Sequence, residues 1–229
     1  MINALIQKFV KLPSHIIKYG PKTVFKRFIF HLCNFCYEVH FGVNTTGNLN
    51  AAELGYINVK DLQTYEPAGY GIIIKLINII KVNYSECAFL DYGCGKGRAI
   101  IAAAQYPFNK IIGIDLSDDL IGIAKHNVDI MRHKVSSDID IININAMVYQ
   151  IPDSVNIIYF FNPFVGEVLD NVINNIYKSY TNAPRKLYVI FVNNVHFERK
   201  IVDSKWIKKI CHGTYYNDPW GIYSTQFNE

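Results

Sequence analysis

The sequence predicts an α/β fold: a doubly wound, mostly parallel seven-stranded sheet with an N-terminal helical extension. Three observations predict it. Short apolar runs alternate with helical stretches from about residue 69 onward, the arrangement of βαβ units around a parallel sheet covered on both faces. One run, Phe89-Leu90-Asp91-Tyr92, opens directly into three closely spaced glycines and then into a strong helix start. The last two runs leave little room for a helix between them, which suits an antiparallel hairpin at the end of the sheet.

The elements follow in order. Ile2, Leu5, Ile6, Phe9 and Val10 recur at helical spacing, with Gln7, Lys8 and Lys11 opposite them. A second helical stretch runs from about 23 to 40, and Pro13 and Gly20-Pro21 punctuate the interval between the two. Asn44-Thr45-Thr46-Gly47-Asn48 reads as a loop, and 69–82 as a helix. Strands are expected at 87–92, 111–115, 139–144, 155–161 and 186–193, with weaker signals at 206–211 and 220–225. There is no internal repeat and no low-complexity tract. We therefore expect one domain at 61–229, preceded by a helical extension at 1–60.

At 229 residues, half of them hydrophobic, the chain can bury a substantial core. Its formal charge of +4 is unevenly placed. The first fifty residues hold Lys8, Lys11, Lys18, Lys22, Lys26 and Arg27 against a single acid, Glu38, and the remainder is close to neutral. An anionic surface or an acidic partner is expected to meet the N-terminus first. No apolar run reaches the roughly 18 residues of a spanning helix, so no integral membrane segment is expected. No signal peptide is apparent. Five scattered cysteines suit a reducing compartment, and the expected location is cytoplasmic.

The most informative stretch is Asp91-Tyr92-Gly93-Cys94-Gly95-Lys96-Gly97-Arg98, followed by Ala99-Ile100-Ile101-Ala102. A tight turn at a strand end needs dihedrals that glycine adopts freely, and it lets a ligand approach the backbone. The amides opening the next helix favour a polar or anionic ligand group. Dinucleotide dehydrogenases show G-x-G-x-x-G, but here the third glycine comes one position early and Arg98 fills the sixth place. There is no G-x-x-x-x-G-K-[ST] phosphate loop either. The next strand, Ile111-Ile112-Gly113-Ile114-Asp115, ends in an acid whose carboxylate can accept both hydroxyls of a ribose. Ser117 is placed to cap the following helix, with Asp118 and Asp119 in its first turn.

The pattern Asp91-x-Gly93-x-Gly95-x-Gly97 resembles the first motif of class I, seven-strand, Rossmann-like methyltransferases that use S-adenosyl-L-methionine. The resemblance continues over about residues 61–225. It implies that Asp91, Gly93, Gly95, Gly97, Asp115 and the adjacent Leu116 hold S-adenosyl-L-methionine. It also places Asn145-Ala146 at the adenine edge, where this class often has an acid followed by a small residue.

Beyond the fourth strand stands Asn162-Pro163-Phe164. Ligands in doubly wound sheets sit outside the carboxyl ends of the strands, so this tripeptide should face the cofactor. An Asn oxygen and a carbonyl beside a proline can accept both hydrogens of an amine, aiming its lone pair at a methyl group. The tripeptide resembles the N-P-P-aromatic motif of amino-group methyltransferases, with Phe164 where the second proline belongs. Upstream, Tyr65-Glu66-Pro67 is similar to a segment whose aromatic lies over the methionine end in protein-lysine methyltransferases and related bacterial proteins. Pro67 can equally be a first-turn helix proline. The expected acceptor frame is Asn162, Pro163, Phe164 and Tyr65.

His31-x-Cys33-x-x-Cys36-x-x-x-His40 holds four potential zinc ligands, but a helical register does not bring all four to one face, and no metal is expected. His196 could serve an oxygen nucleophile as a base, though a lone His in an Asn-rich loop is usually a solvated surface residue. The reading is methyl transfer from S-adenosyl-L-methionine, preferably to an amine nitrogen, with protein lysine among the acceptors. Three rivals stand against it: O-methylation of a small molecule or sugar, a catalytically degenerate binding module on the same fold, and a nicotinamide-dependent oxidoreductase. Finally, the basic residues 1–42 are expected either to dock as a cover near Tyr65 or to recruit an anionic partner.

Overall fold

A computed structural model describes residues 20–47, 66–193, 195–216 and 218–226. Strands β1 (Ala88–Tyr92), β2 (Lys110–Asp115), β3 (Ile139–Asn143), β4 (Val155–Phe161), β5 (Tyr188–Val192), β6 (Ile207–Tyr215) and β7 (Asp218–Thr225) form one sheet. Their order is β3-β2-β1-β4-β5-β7-β6. The first five are mutually parallel, and β7 runs antiparallel to both β5 and β6. The expected doubly wound sheet with a terminal hairpin is therefore the fold observed. Strand order reverses between β1 and β4, the position at which such sheets bind ligands.

Burial explains which runs became strands. β1 is buried at every residue and β4 at nearly every one, as strands covered on both faces require. Helices α1 (Pro21–Phe41), α2 (Tyr70–Ile79), α3 (Arg98–Ala103), α4 (Asp118–Ile130), α5 (Gly166–Asn182) and α6 (Val195–Ile201) complete the chain order. One core layer lies between the sheet and α2, α3 and α4, built on Ile73, Leu76, Ile100 and Phe89. The other lies beneath α5 and α6, built on Leu169, Val172, Phe160 and Phe197. The sequence signal for β6 stops near residue 211, yet the strand continues to Tyr215 with alternating exposure. β7 begins earlier than its apolar run because Asp218 and Pro219 pair with Tyr215 and Thr214 of β6, and Pro219, which has no N–H to donate, accepts from Asn193 N at 2.6 Å.

Helix α1 docks on the domain through a buried polar cluster rather than through apolar contact alone. The Glu38 side chain is fully buried, and Arg98 at the start of α3 donates to it at 3.2 Å. Arg98 also donates to Thr45 Oγ1 at 2.6 Å and to the Ala68 carbonyl at 2.9 Å. The Thr45 amide donates to both Glu38 oxygens at 3.0 and 2.9 Å, and the Thr45 hydroxyl donates to the same carboxylate. Tyr37 and Phe41 pack on the ring of Tyr70. Two further ties hold the chain that follows α1: Lys96 Nζ reaches the Thr46 carbonyl at 2.8 Å, and Asn127 and Asn44 exchange hydrogen bonds at 3.1 Å each.

Candidate active site

The turn after β1 owes its shape to its glycines. Gly93 and Gly97 both have φ in the left-handed region, +74° and +86°, where a side chain is strained. Gly93 has a second reason: a Cβ there would stand 2.5 Å from Pro163 Cβ. The amides of Gly93 and Cys94 both donate to the Ile114 carbonyl at 2.9 Å, which ties the turn to β2. Gly97 lies against Ala124 of α4, so the third glycine serves helix packing rather than the ligand wall.

At the tip of β2 the Asp115 carboxylate organises the loop around it. Oδ2 accepts from Gly95 N at 2.9 Å and Oδ1 from Ser117 N at 3.0 Å. Ser117 caps α4 as expected, its hydroxyl accepting from Leu120 N at 3.3 Å. A carboxylate oxygen can accept a ligand hydroxyl beside a backbone amide. Asp91, at the end of β1, is buried. That burial, and secondarily the charge of Asp115, holds its carboxyl well above the ordinary carboxylate value of 3.8.

Between these elements opens a cleft of about 220 Å³, at the position where doubly wound sheets bind their ligands. Of the residues expected to hold a cofactor, Asp91, Gly93, Asp115, Leu116, Asn145 and Ala146 line it. Gly95 and Gly97 do not: they shape the loop from behind. Asn145 Oδ1 already accepts from Met147 N at 2.9 Å, which turns the chain after β3 at the cleft wall. Of the expected acceptor frame, Asn162, Pro163 and Phe164 line the cleft. Tyr65 lies outside the described residues, whereas Glu66 and Pro67 line the wall ahead of α2, so Pro67 is not a first-turn proline.

Asn162 combines two unusual features. Its φ is +42°, uncommon for any residue but glycine. Its side-chain oxygen is buried, and no group among the described residues donates to it. A buried acceptor without a donor is costly unless a ligand supplies one. Phe164 is only 3% exposed, with its ring edge-on to Tyr92 and Phe160. Its first task is to pack beneath the loop, and only part of it meets the cleft. His196 is exposed and absent from the wall. His40 stacks on His133 at 4.6 Å, and no cluster of three or more potential metal ligands forms among the described residues.

Sequence reasoning passed over two wall residues. Tyr159 is register neighbour to Asp91 across the β1–β4 pair, and its buried hydroxyl has no hydrogen-bond partner among the described residues. It falls inside the apolar run expected as the fourth strand, where nothing in the sequence sets it apart. Arg98 also borders the cleft, with its guanidinium engaged by Glu38. Carboxylates of Glu66, Asp91 and Asp115 thus line the wall. A sulfonium centre and an α-ammonium group are both cationic, so this wall suits S-adenosyl-L-methionine better than a polyphosphate. Asp115 further suits an unphosphorylated ribose.

Sheet order, switch-point cleft and glycine loop together define a class I, Rossmann-like methyltransferase. The comparison of sequence families agrees: residues 83–196 match the model of a methyltransferase domain family. The chain is an S-adenosyl-L-methionine-dependent methyltransferase carrying that domain. Among solved structures it is similar to an RNA methyltransferase from Salinibacter ruber in complex with S-adenosyl-L-homocysteine. The identity is 14% and the TM-score 0.55, over 70% of this chain and 94% of that one. It is also similar to a ribosomal protein L11 methylase from Lactobacillus delbrueckii subsp. bulgaricus, at 16% identity and TM-score 0.54, over 70% and 80%. A third is a SAM-dependent methyltransferase from Aquifex aeolicus, at 12% identity and TM-score 0.53, over 66% and 88%. These likenesses concern the fold. No curated protein matches the sequence.

Proposed function

We propose that the chain methylates an amine nitrogen, with a protein lysine among the acceptors it could take. Bound S-adenosyl-L-methionine supplies an electrophilic methyl group on sulfur; the protein's part is to position the nucleophile and exclude water. Asp91 and Asp115 hold the ammonium and ribose ends, and Leu116, Asn145 and Ala146 border the adenine. Pro163 keeps Asn162 against the glycine loop, and Asn162 Oδ1 accepts an N–H of the acceptor, so that the nitrogen lone pair faces the methyl group. The observation that carries this reading is the buried oxygen of Asn162 at the cleft wall, to which no group among the described residues donates. His196, the base considered for an oxygen nucleophile, stands away from the wall. We further read residues 1–60 as a helical extension of a catalytic domain at 61–229, tied to it by the Glu38–Arg98 clasp.

The test is transfer of a labelled methyl group to fractionated cell lysate, followed by chemical identification of the methylated atom. Label on nitrogen, lost by orders of magnitude in Asn162→Ala while cofactor affinity stays within a few-fold, supports the proposal. Label on oxygen overturns it.

A further inference from the structure

Helix α1 has two chemically different faces. The inner one buries Val24, Asn34, Glu38 and Phe41 against the domain. The outer one carries Phe25, Leu32 and Val39, exposed by 63, 36 and 49%. These three are spaced by seven residues and therefore lie nearly in line along an α-helix. Lys22 and Lys26 are exposed beside that line. The single acid on α1, Glu38, is fully buried against Arg98. The outer face thus offers aromatic, aliphatic and cationic groups and no anion.

We propose that this outer face, with the basic amphipathic segment preceding it in the sequence, docks the enzyme on an anionic phospholipid surface. Before α1, Lys8, Lys11 and Lys18 accompany Ile2, Leu5, Ile6, Phe9 and Val10 at helical spacing, so apolar and cationic character continues in the same order. An interfacial helix needs this pairing: apolar side chains enter the acyl boundary, and lysines meet the headgroup phosphates. A nucleic-acid backbone would draw on the lysines but gain nothing from a row of Phe, Leu and Val. Docking in this manner is peripheral, since no helix among the described residues is long and apolar enough to cross a membrane. The Glu38–Arg98 clasp then joins the lipid-facing helix to the glycine loop. The proposal does not depend on which acceptor is methylated.

Co-sedimentation of the full-length chain with vesicles tests it, using phosphatidylcholine alone and phosphatidylcholine mixed with phosphatidylserine. We expect binding only where phosphatidylserine is present, weakening as salt is raised. Lys22→Glu with Lys26→Glu should lower partitioning by about tenfold or more, given the contribution of each lysine near a charged surface. Phe25→Asp with Leu32→Asp should abolish it even at low salt. Both variants should keep the thermal shift produced by S-adenosyl-L-homocysteine, because these side chains face away from the cleft. Equal binding to neutral vesicles, equal binding by the variants, or no vesicle binding overturns the proposal. So does binding of a duplex RNA probe or an acidic polypeptide in place of vesicles.

Discussion

Gly93 and Pro163 touch across the switch point of the sheet, so closely that a Cβ on Gly93 would lie 2.5 Å from Pro163 Cβ. The cofactor loop and the acceptor-facing tripeptide are therefore one packed unit. Gly93→Ala must both adopt a left-handed conformation and push Pro163 away. We expect a loss of at least about 2 kcal/mol of stability. Methyl transfer should fall further than the stability loss explains, because Asn162 moves with Pro163. Chemical denaturation alongside turnover at a temperature where the variant is folded checks both.

The Glu38–Arg98 pair makes a second prediction. Glu38→Ala leaves a buried guanidinium without its carboxylate and should cost about 3–5 kcal/mol. Replacing both partners, Glu38→Met with Arg98→Met, should recover much of that loss, since two apolar groups leave no orphaned charge. Urea unfolding of the two variants decides it: a double variant no more stable than Glu38→Ala would contradict this account of the clasp.

Asp91 gives the enzyme a pH dependence. Burial raises its carboxyl above the ordinary 3.8, so the folded protein holds that proton more tightly than the unfolded chain. The group's contribution to stability is present below 3.8 and lost as pH rises through the folded value. Cofactor binding has the opposite slope, because a cationic ammonium favours the ionised carboxylate. Affinity for S-adenosyl-L-homocysteine should therefore increase as pH rises through the folded value, and Asp91→Asn should flatten the profile. Titrations across pH with both proteins give the comparison.

Tyr159 separates stability from function. Burial, and then the charge of Asp91, keeps its phenol protonated, and the hydroxyl lacks a partner among the described residues. Tyr159→Phe should leave the melting temperature of the ligand-free protein unchanged or raised. The added stabilisation by S-adenosyl-L-homocysteine should shrink, since the cleft loses a donor. An undiminished ligand shift would make the hydroxyl irrelevant to binding.

These residues also show where the sequence was legible. The glycine loop, Asp115 and the Ser117 cap are local patterns, in which neighbouring residues dictate one another's geometry, and the structure has the same turns. The clasp was not legible, because Glu38 and Arg98 stand sixty residues apart and a pair closed only by folding leaves no periodic trace. Residues 1–42 were expected either to dock as a cover near Tyr65 or to recruit an anionic partner. Yet none of the cleft wall comes from residues 20–47: α1 buttresses the loop from behind. Phe164 was read for its place in a motif, and its burial beneath Tyr92 follows from packing that no motif records.

The central claim is that the cleft at the β1–β4 switch point holds S-adenosyl-L-methionine through Asp115. Calorimetric titration of the wild-type chain and Asp115→Ala with S-adenosyl-L-homocysteine tests it most directly. We predict binding by the wild type, no binding of NAD, and a loss of about 1.5–3 kcal/mol in the variant, the range for hydrogen bonds to a charged group. Unchanged affinity in Asp115→Ala, or binding of NAD alone, would contradict the account.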